Sequence, residues 1–314
     1  MSLLMLCMLL QDLVPITYAA GYVPNVQFTP FYVAMTKGYY REEGIELNMD
    51  YTVGPDVLKL TAMGKFHFAS ADPDAFLRAV SQGMELTHVA TLYQTYPIAF
   101  IARDDILTQD GLRGRRIGIS GLYGSSYLGC KALLSQLALN LSDVQLIAIG
   151  FTQVHALEAK SVDAIVGYIN HEPIRLIQRN IEVHTLLLEG TSRLPGVGIM
   201  APSELVRQKP QLVRGFLKAT FRGVVDVIQN PDSALAAVTG THLTELTSEE
   251  QIEAEAMILR ETVRFLKASE SSKLGQCPSA YWDQLVELLT STEGPVIKSW
   301  QPYVDRSFTW VDGN

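Results

Sequence analysis

The sequence predicts an α/β protein of two lobes, each a mostly parallel sheet flanked by helices. Three observations carry this. Short apolar runs alternate with segments of helical periodicity from Val14 to Ala201, the pattern of a parallel sheet covered on both faces. The 314 residues, 47% hydrophobic and 18% charged, suffice for about two domains with large cores. Two turn segments, Gly121-Leu-Tyr-Gly-Ser-Ser-Tyr127 and Gly167-Tyr-Ile-Asn-His-Glu-Pro173, place polar and aromatic groups where strands should end. In open α/β sheets the carboxyl ends of strands are where ligands bind.

The first lobe opens with a βαβ unit: strand Val14 to Ala20, helix Phe31 to Lys37, and alternating strand Ile45 to Tyr51. A helix over Asp56 to Met63, a strand over Phe66 to Ser70, a helix over Pro73 to Gln82 and a strand over Leu86 to Leu92 follow. Ile98 to Arg103 leads out of this lobe. Arg116 to Ser120 opens a second set, with a helix from Leu128 whose leucines recur at helical spacing. Strands at Val144 to Ile149, Ala164 to Tyr168 and Glu182 to Leu187 continue it, with a helix around Val154 to Glu158. After Gly196-Val-Gly-Ile-Met-Ala201 the chain turns helical: Glu204 to Gln208, Pro210 to Asn230, Ser248 to Ala268 and Ser279 to Thr290. Pro202 and Pro210 lie near helix starts, where a missing N–H costs little. The expected lobes are 12–101 plus 197–314, and 102–196, with the chain crossing near Ile101 and near Gly196.

Composition excludes several classes. A net charge of -8, with no basic cluster longer than Arg113-Gly-Arg-Arg116, argues against a nucleic-acid partner. Cys7, Cys130 and Cys277 are scattered and match no zinc spacing, so neither a metal site nor a cofactor is expected. The apolar stretch Leu3 to Leu10 is too short to span a bilayer and lacks a basic flank. Residues 1–11 read as an apolar tail or the remnant of a clipped signal.

Val23-Pro-Asn-Val-Gln-Phe-Thr-Pro-Phe-Tyr-Val-Ala-Met-Thr-Lys-Gly-Tyr-Tyr40, Leu112 to Tyr127, Ile149 to Leu157 and Val162 to Pro173 together resemble the NMT/THI-like solute-binding proteins of ABC importers. The resemblance covers nearly all of the chain after Asp12, and within that superfamily it lies nearest the ThiY and RibY types. It implies a two-lobed, periplasmic-binding-protein-like fold of type II with a two-strand hinge. It also implies a vitamin or precursor ligand, riboflavin or an aminopyrimidine, held between the lobes. A membrane permease partner, a monomeric state and an extracytoplasmic location follow from the same resemblance.

The candidate ligand groups sit at strand ends. Asn25 follows the first strand, where an amide suits either a ligand edge or a turn, and Phe28 or Phe31 can supply an apolar wall. Asp72 and Asp74 flank Pro73; one carboxylate can cap the helix, leaving the other for a ligand donor. Tyr93 and Gln94 close a further strand, with Tyr96 beyond them, and the rings are candidates for stacking on a planar ligand. In the second lobe, Ser125 or Ser126 can cap a helix and face an acceptor atom, while Tyr123 and Tyr168 stand on adjacent strand ends. Asn170 and Glu172 follow Tyr168, and a carboxylate held just before Pro173 can take two hydrogen bonds from an amino-heterocycle or a hydroxyl pair.

Acids and tyrosines without a cation point to a neutral or weakly cationic, planar, donor-bearing ligand, since a sulfonate or phosphate needs Arg, Lys and backbone donors. The number of tyrosines favours a larger ring system. Three rivals remain. A pyrimidine synthase of the same fold needs a Cys-rich iron motif that these cysteines do not form, and His67, between Phe66 and Phe68, reads as a core or strand-face residue. An alkanesulfonate or taurine binder is the second. A regulatory domain is the third, with no helix-turn-helix before Val14 to support it.

Overall fold

The computed structural model describes residues 13–308 except 55, 123, 190–192 and 268–272. The expected tail 1–11, with Cys7, and the candidate Tyr123 lie outside the described residues. The first sheet is built from β1 (Val14–Ala19), β2 (Ile45–Asp50), β3 (Phe68–Ala71), β4 (Leu86–Thr91) and β10 (Gly198–Pro202), in the order β2-β1-β3-β10-β4. β1 runs parallel to β2 and β3, and β10 is antiparallel to both its neighbours. The second sheet holds β5 (Ile98–Ala102), β6 (Arg116–Ile119), β7 (Gln145–Ala148), β8 (Ala164–Tyr168) and β9 (His184–Leu187), in the order β7-β6-β8-β5-β9.

Two sequence expectations change. The strand expected from Phe66 begins at Phe68, because His67 turns its ring back on the first strand: Thr17 N–H donates to His67 Nδ1 at 3.1 Å. That bond requires an unprotonated Nδ1, and burial lowers the pKa of this imidazole. The strand Ile98–Ala102, expected to close the first lobe, instead pairs antiparallel with β8 and β9 in the second sheet. All five of its residues are buried, as a strand covered on both faces demands. The chain therefore crosses at 92–97, ahead of Ile101.

The return crossing runs beside the outgoing one. Leu92 and Tyr93 N–H both donate to Val197 O, at 2.9 and 3.1 Å, Gly196 N–H donates to Tyr93 O at 3.1 Å, and Tyr96 N–H to Leu194 O at 2.9 Å. Gly196 is required by this approach, since a Cβ there would lie 2.5 Å from Tyr93 O. Two adjacent, mutually bonded segments thus join the sheets.

Helices cover the faces. α1 (Thr29–Thr36) and α2 (Tyr39–Glu42) follow β1, and α3 (Val57–Ala62) and α4 (Pro73–Ser81) flank β3. The second sheet carries α5 (Gln109–Leu112), α6 (Gly124–Gln136), α7 (Gln153–Glu158) and α8 (Glu172–Ile177). The chain after β10 forms α9 (Ser203–Gln208), α10 (Pro210–Gln229), α11 (Pro231–Val238), α12 (Glu249–Leu266) and α13 (Ser279–Glu293). α12 starts at a capping box in which Ser248 and Gln251 bond each other's backbone N–H. α10 lies across α1 and drives Phe216 into the core, where its ring stacks on Phe68 at 3.9 Å and contacts Tyr18 and Tyr40.

His88 of β4 is 2% exposed, packed edge-on to Trp282 at 4.9 Å, with no partner for Nδ1. Burial pushes its pKa down to about 3. The unfolded chain takes up a proton below about pH 6.5 that the folded chain refuses. Stability attributable to this residue is therefore intact above pH 6.5 and declines on acidification toward pH 3, by about 3 kcal/mol at pH 4. In urea titrations from pH 7 to 4 the wild type is expected to lose stability that His88→Phe keeps; a constant difference between the two would show that His88 takes up its proton in the folded state.

Candidate functional site

The carboxyl ends of β3 in the first sheet and of β6 and β8 in the second meet at a seam beside the paired crossings. From the first sheet, β3 ends in Ala71 and hands over to α4 through Asp72 and Pro73. Pro73 at the first helical position lacks an N–H, and Asp72 before it is extended (φ -72°, ψ 141°). Asp72 stands at the cap position, yet its side chain caps nothing. Asp74, 3% exposed, is held from two sides. Arg78, one turn along α4, forms an ion pair with Oδ2, and Ser125 of α6 donates its hydroxyl to Oδ1 at 2.5 Å. Arg78 is itself fixed by Glu293 of α13, through bonds of 2.9 and 2.7 Å.

From the second sheet, Gly124 takes φ 70°, which turns the chain into α6 and brings Ser125 to Asp74. The neighbouring Ser126 Oγ is buried with no hydrogen-bond partner. β8 ends at Tyr168, whose hydroxyl donates to Tyr96 at 3.4 Å while the rings meet edge to face at 5.7 Å. Glu172 heads α8 and folds back, so that Oε2 accepts Tyr168 N–H at 2.6 Å and the chain packs over Gly167. Its other oxygen lies 3.4 Å from His171 Nδ1. Asn170, 5% exposed, donates through Nδ2 to Thr262 Oγ1 of α12 at 2.8 Å, and its Oδ1 is buried without a partner.

Burial unites the electrostatics of this seam. It raises the phenols of Tyr93, Tyr96 and Tyr168, with Asp72 adding to the rise at Tyr96 and Tyr168. All three are neutral hydroxyls at any physiological pH. Asp72 is pushed up to about 7, first by burial and then by the charge of Asp74, with Ser125 opposing. Asp74 is paired with Arg78 and bonded by Ser125, whereas no ion pair to Asp72 is present among the described residues.

The structure thus brings Asp72, Asp74, Ser125, Ser126, Tyr168, Asn170 and Glu172 to one region, with Tyr93 and Gln94 on the adjoining crossing. Tyr93 packs its ring 6.2 Å from Phe265, and Gln94 N–H donates to Phe265 O at 2.7 Å. Two candidates serve locally. Asn25 accepts Gln27 N–H at 2.8 Å, capping the short 3₁₀ turn Val26–Phe28, and Phe28 is 4% exposed among Phe31, Tyr32 and Tyr51. Thr262, Ser70 and Arg78 were not singled out by sequence. Ser70 of β3, two residues before Asp72, bonds the Tyr18 hydroxyl. Thr262 carries a signal: it is a polar residue on the buried stripe Ile258, Leu259, Val263 of an amphipathic helix.

Other features lie elsewhere or argue against reactive chemistry. A hollow of about 450 Å³ lined by Thr87, Ser203, Arg207 and Arg306 sits at the amino end of β4, away from the seam. Cys130 and Cys277 are buried, with thiols pushed up to about 12 by burial, whereas nucleophilic and metal-binding cysteines act as thiolates. Among the described residues no helix is long and apolar enough to cross a membrane.

Two α/β sheets joined by a pair of crossing segments, with polar groups at the seam, define the periplasmic-binding-protein fold. The periplasmic sulfonate-binding protein SsuA of Methylobacillus flagellatus shares it, with a TM-score of 0.70 over 95% of this chain and 93% of that one at 14% identity. The chain belongs to the NMT1/THI5 like family, whose model matches residues 25–234. It is 37% identical over 251 residues to the riboflavin-binding protein RibY of Chloroflexus aurantiacus, covering 77% of this chain and 72% of that protein. It is 27% identical over 219 residues to a formylaminopyrimidine-binding protein of Halalkalibacterium halodurans, covering 68% and 66%. A 4-amino-5-hydroxymethyl-2-methylpyrimidine phosphate synthase of Legionella pneumophila is 26% identical over 230 residues, covering 70% and 71%.

Proposed function

We propose that this protein is the solute-binding component of an ABC importer, capturing a planar, donor-bearing heteroaromatic vitamin or vitamin precursor at the seam. The two sheets with their helices act as lobes that swing about the paired crossings, at 92–97 and 194–197. Closure buries the ligand and presents a membrane permease with a changed surface. The protein works outside the cytoplasm as a monomer and is not an enzyme.

The observation that carries this reading is the composition of the seam. Acids and neutral phenols from both sheets converge there, and the cation beside them, Arg78, is already committed to Asp74 and Glu293. Among the described residues a sulfonate would meet Asp72 and Asp74 with no free guanidinium to offset them. A ligand that supplies N–H or O–H donors and a flat face meets acceptors and tyrosine rings. The names of the 37% and 27% identical relatives agree with that chemistry.

Calorimetric and thermal-shift titrations against riboflavin, formylaminopyrimidine, thiamine and taurine test it, because a cleft ligand stabilises the closed form by mass action. Riboflavin or a pyrimidine is expected to bind at micromolar concentration or below. Binding of taurine alone would move the protein to the sulfonate binders.

A further inference from the structure

We infer that α8 of the second lobe and α12 of the first form a clasp beside the seam, in which Arg175, Glu255 and Thr262 govern how fast the lobes open and release ligand. The inference rests on the importer reading and adds to it the contacts that hold the closed form. Each helix belongs to its own lobe. α12 packs on α10, α11 and the turn Val26–Phe28, which follows the carboxyl end of β1. α8 packs on α7 and on β8, whose carboxyl end it follows. Both helices therefore stand on the side of the sheets where the seam lies, and opening the seam separates them.

Two side-chain bonds join them. Asn170, just ahead of α8, donates through Nδ2 to Thr262 Oγ1 at 2.8 Å, and both residues are buried. The hydroxyl of Thr262 has a single hydrogen, which goes to Ile258 O at 2.7 Å, so toward Asn170 it can only accept. Arg175 of α8 forms an ion pair with Glu255 of α12, whose side chain is 12% exposed. Glu255 and Thr262 lie two turns apart on one face of α12, so the helix is gripped along its length. The inner bond sits close to the crossings, where Ile169 N–H donates to Pro97 O at 2.9 Å and Gln94 N–H to Phe265 O at 2.7 Å. Thr262 is less than one turn of α12 from Phe265, and Glu255 nearly three. A given swing of the lobes therefore moves the ion pair most. Its attraction reaches over several ångströms and is weakened by salt, which gives opening a salt dependence.

The test reads ligand release, because a bound ligand leaves only when the lobes open, whichever form the free protein prefers. Release of riboflavin and of formylaminopyrimidine is followed by stopped-flow displacement at about 50 and 500 mM salt. The proteins compared are the wild type, Glu255→Gln, Thr262→Val and the charge-swapped pair Arg175→Glu with Glu255→Arg. At low salt Glu255→Gln is expected to release ligand about two- to fivefold faster than the wild type. Thr262→Val, which leaves a buried amide without its acceptor, is expected to release it about tenfold faster. Wild-type release is expected to quicken at high salt and that of Glu255→Gln to respond less, while the swap returns to within about twofold of the wild type. A role confined to packing α12 within its own lobe would show neither the salt response nor the rescue. Equal release rates in the wild type and both single variants overturn the inference while leaving the importer reading intact, since ligand is still bound. If neither ligand binds, the heteroaromatic reading fails instead, and the clasp is read from small-angle scattering of the free protein. Arg175→Glu is then expected to enlarge the radius of gyration and the swap to restore it; an unchanged radius overturns the inference.

Discussion

Asp74→Ala is expected to lower the free energy of unfolding by about 3 kcal/mol at pH 7.5, measured by urea denaturation. The side chain is 4% exposed and holds two partners on two different elements, Arg78 on its own helix and Ser125 on α6. Deleting one member of a buried pair costs about 3–5 kcal/mol, because the remaining charge stays desolvated. The lower end applies here, since Arg78 keeps Glu293 and is 24% exposed. Removing the charge of Asp74 also takes away the second of the two causes that raise Asp72, leaving burial in place. A loss below about 1 kcal/mol would show that Asp74 behaves as a solvated surface acid.

Phe216→Ala is expected to cost more, about 3–5 kcal/mol in the same experiment, without touching the seam. The ring is fully buried, stacked on Phe68 at 3.9 Å and set among Tyr18 and Tyr40, three rings held by other elements. None of them can close the vacancy without leaving its own packing, so most of the cavity persists. Tyr18 bonds Ser70 at the seam end of β3, so a collapse of the cavity would reach the site. Unchanged ligand affinity in a destabilised variant is the expected combination. A variant that binds poorly yet unfolds like the wild type would place Phe216 in the ligand's path.

Most of the fold was legible because its inner strands are largely buried and its connections are short. The run Ile98–Ala102 shows where legibility stops. Five consecutive apolar residues announce a covered strand, but they say nothing of which sheet covers it; that is decided by pairing with β8 and β9, far along the chain. α11 was missed although Asn230 caps it and Pro231 opens it, because its few turns follow directly on a longer helix. At the site, position alone brought out Asp72, Asp74, Ser125, Tyr168 and Asn170, since each follows a strand. The division of labour between the carboxyls was not readable, because it depends on Ser125 reaching across from the other sheet. Glu172 shows the converse: an acid before proline suggested a ligand contact, and the backbone N–H of Tyr168 takes up one of its oxygens.

The antiparallel strand in each sheet also sets an order of assembly. The second sheet uses only residues between Ile98 and Leu187, so every strand it needs is available once that stretch has been made. The first sheet cannot join β3 to β4 until Gly198–Pro202 arrives between them. A chain emerging from its amino terminus therefore exposes β1 to β4 as an unfinished half for the whole time that the inner lobe is being made. The outer lobe nucleates late on a partner already folded, and its unpaired β3 and β4 edges are where a chaperone would have most to shield.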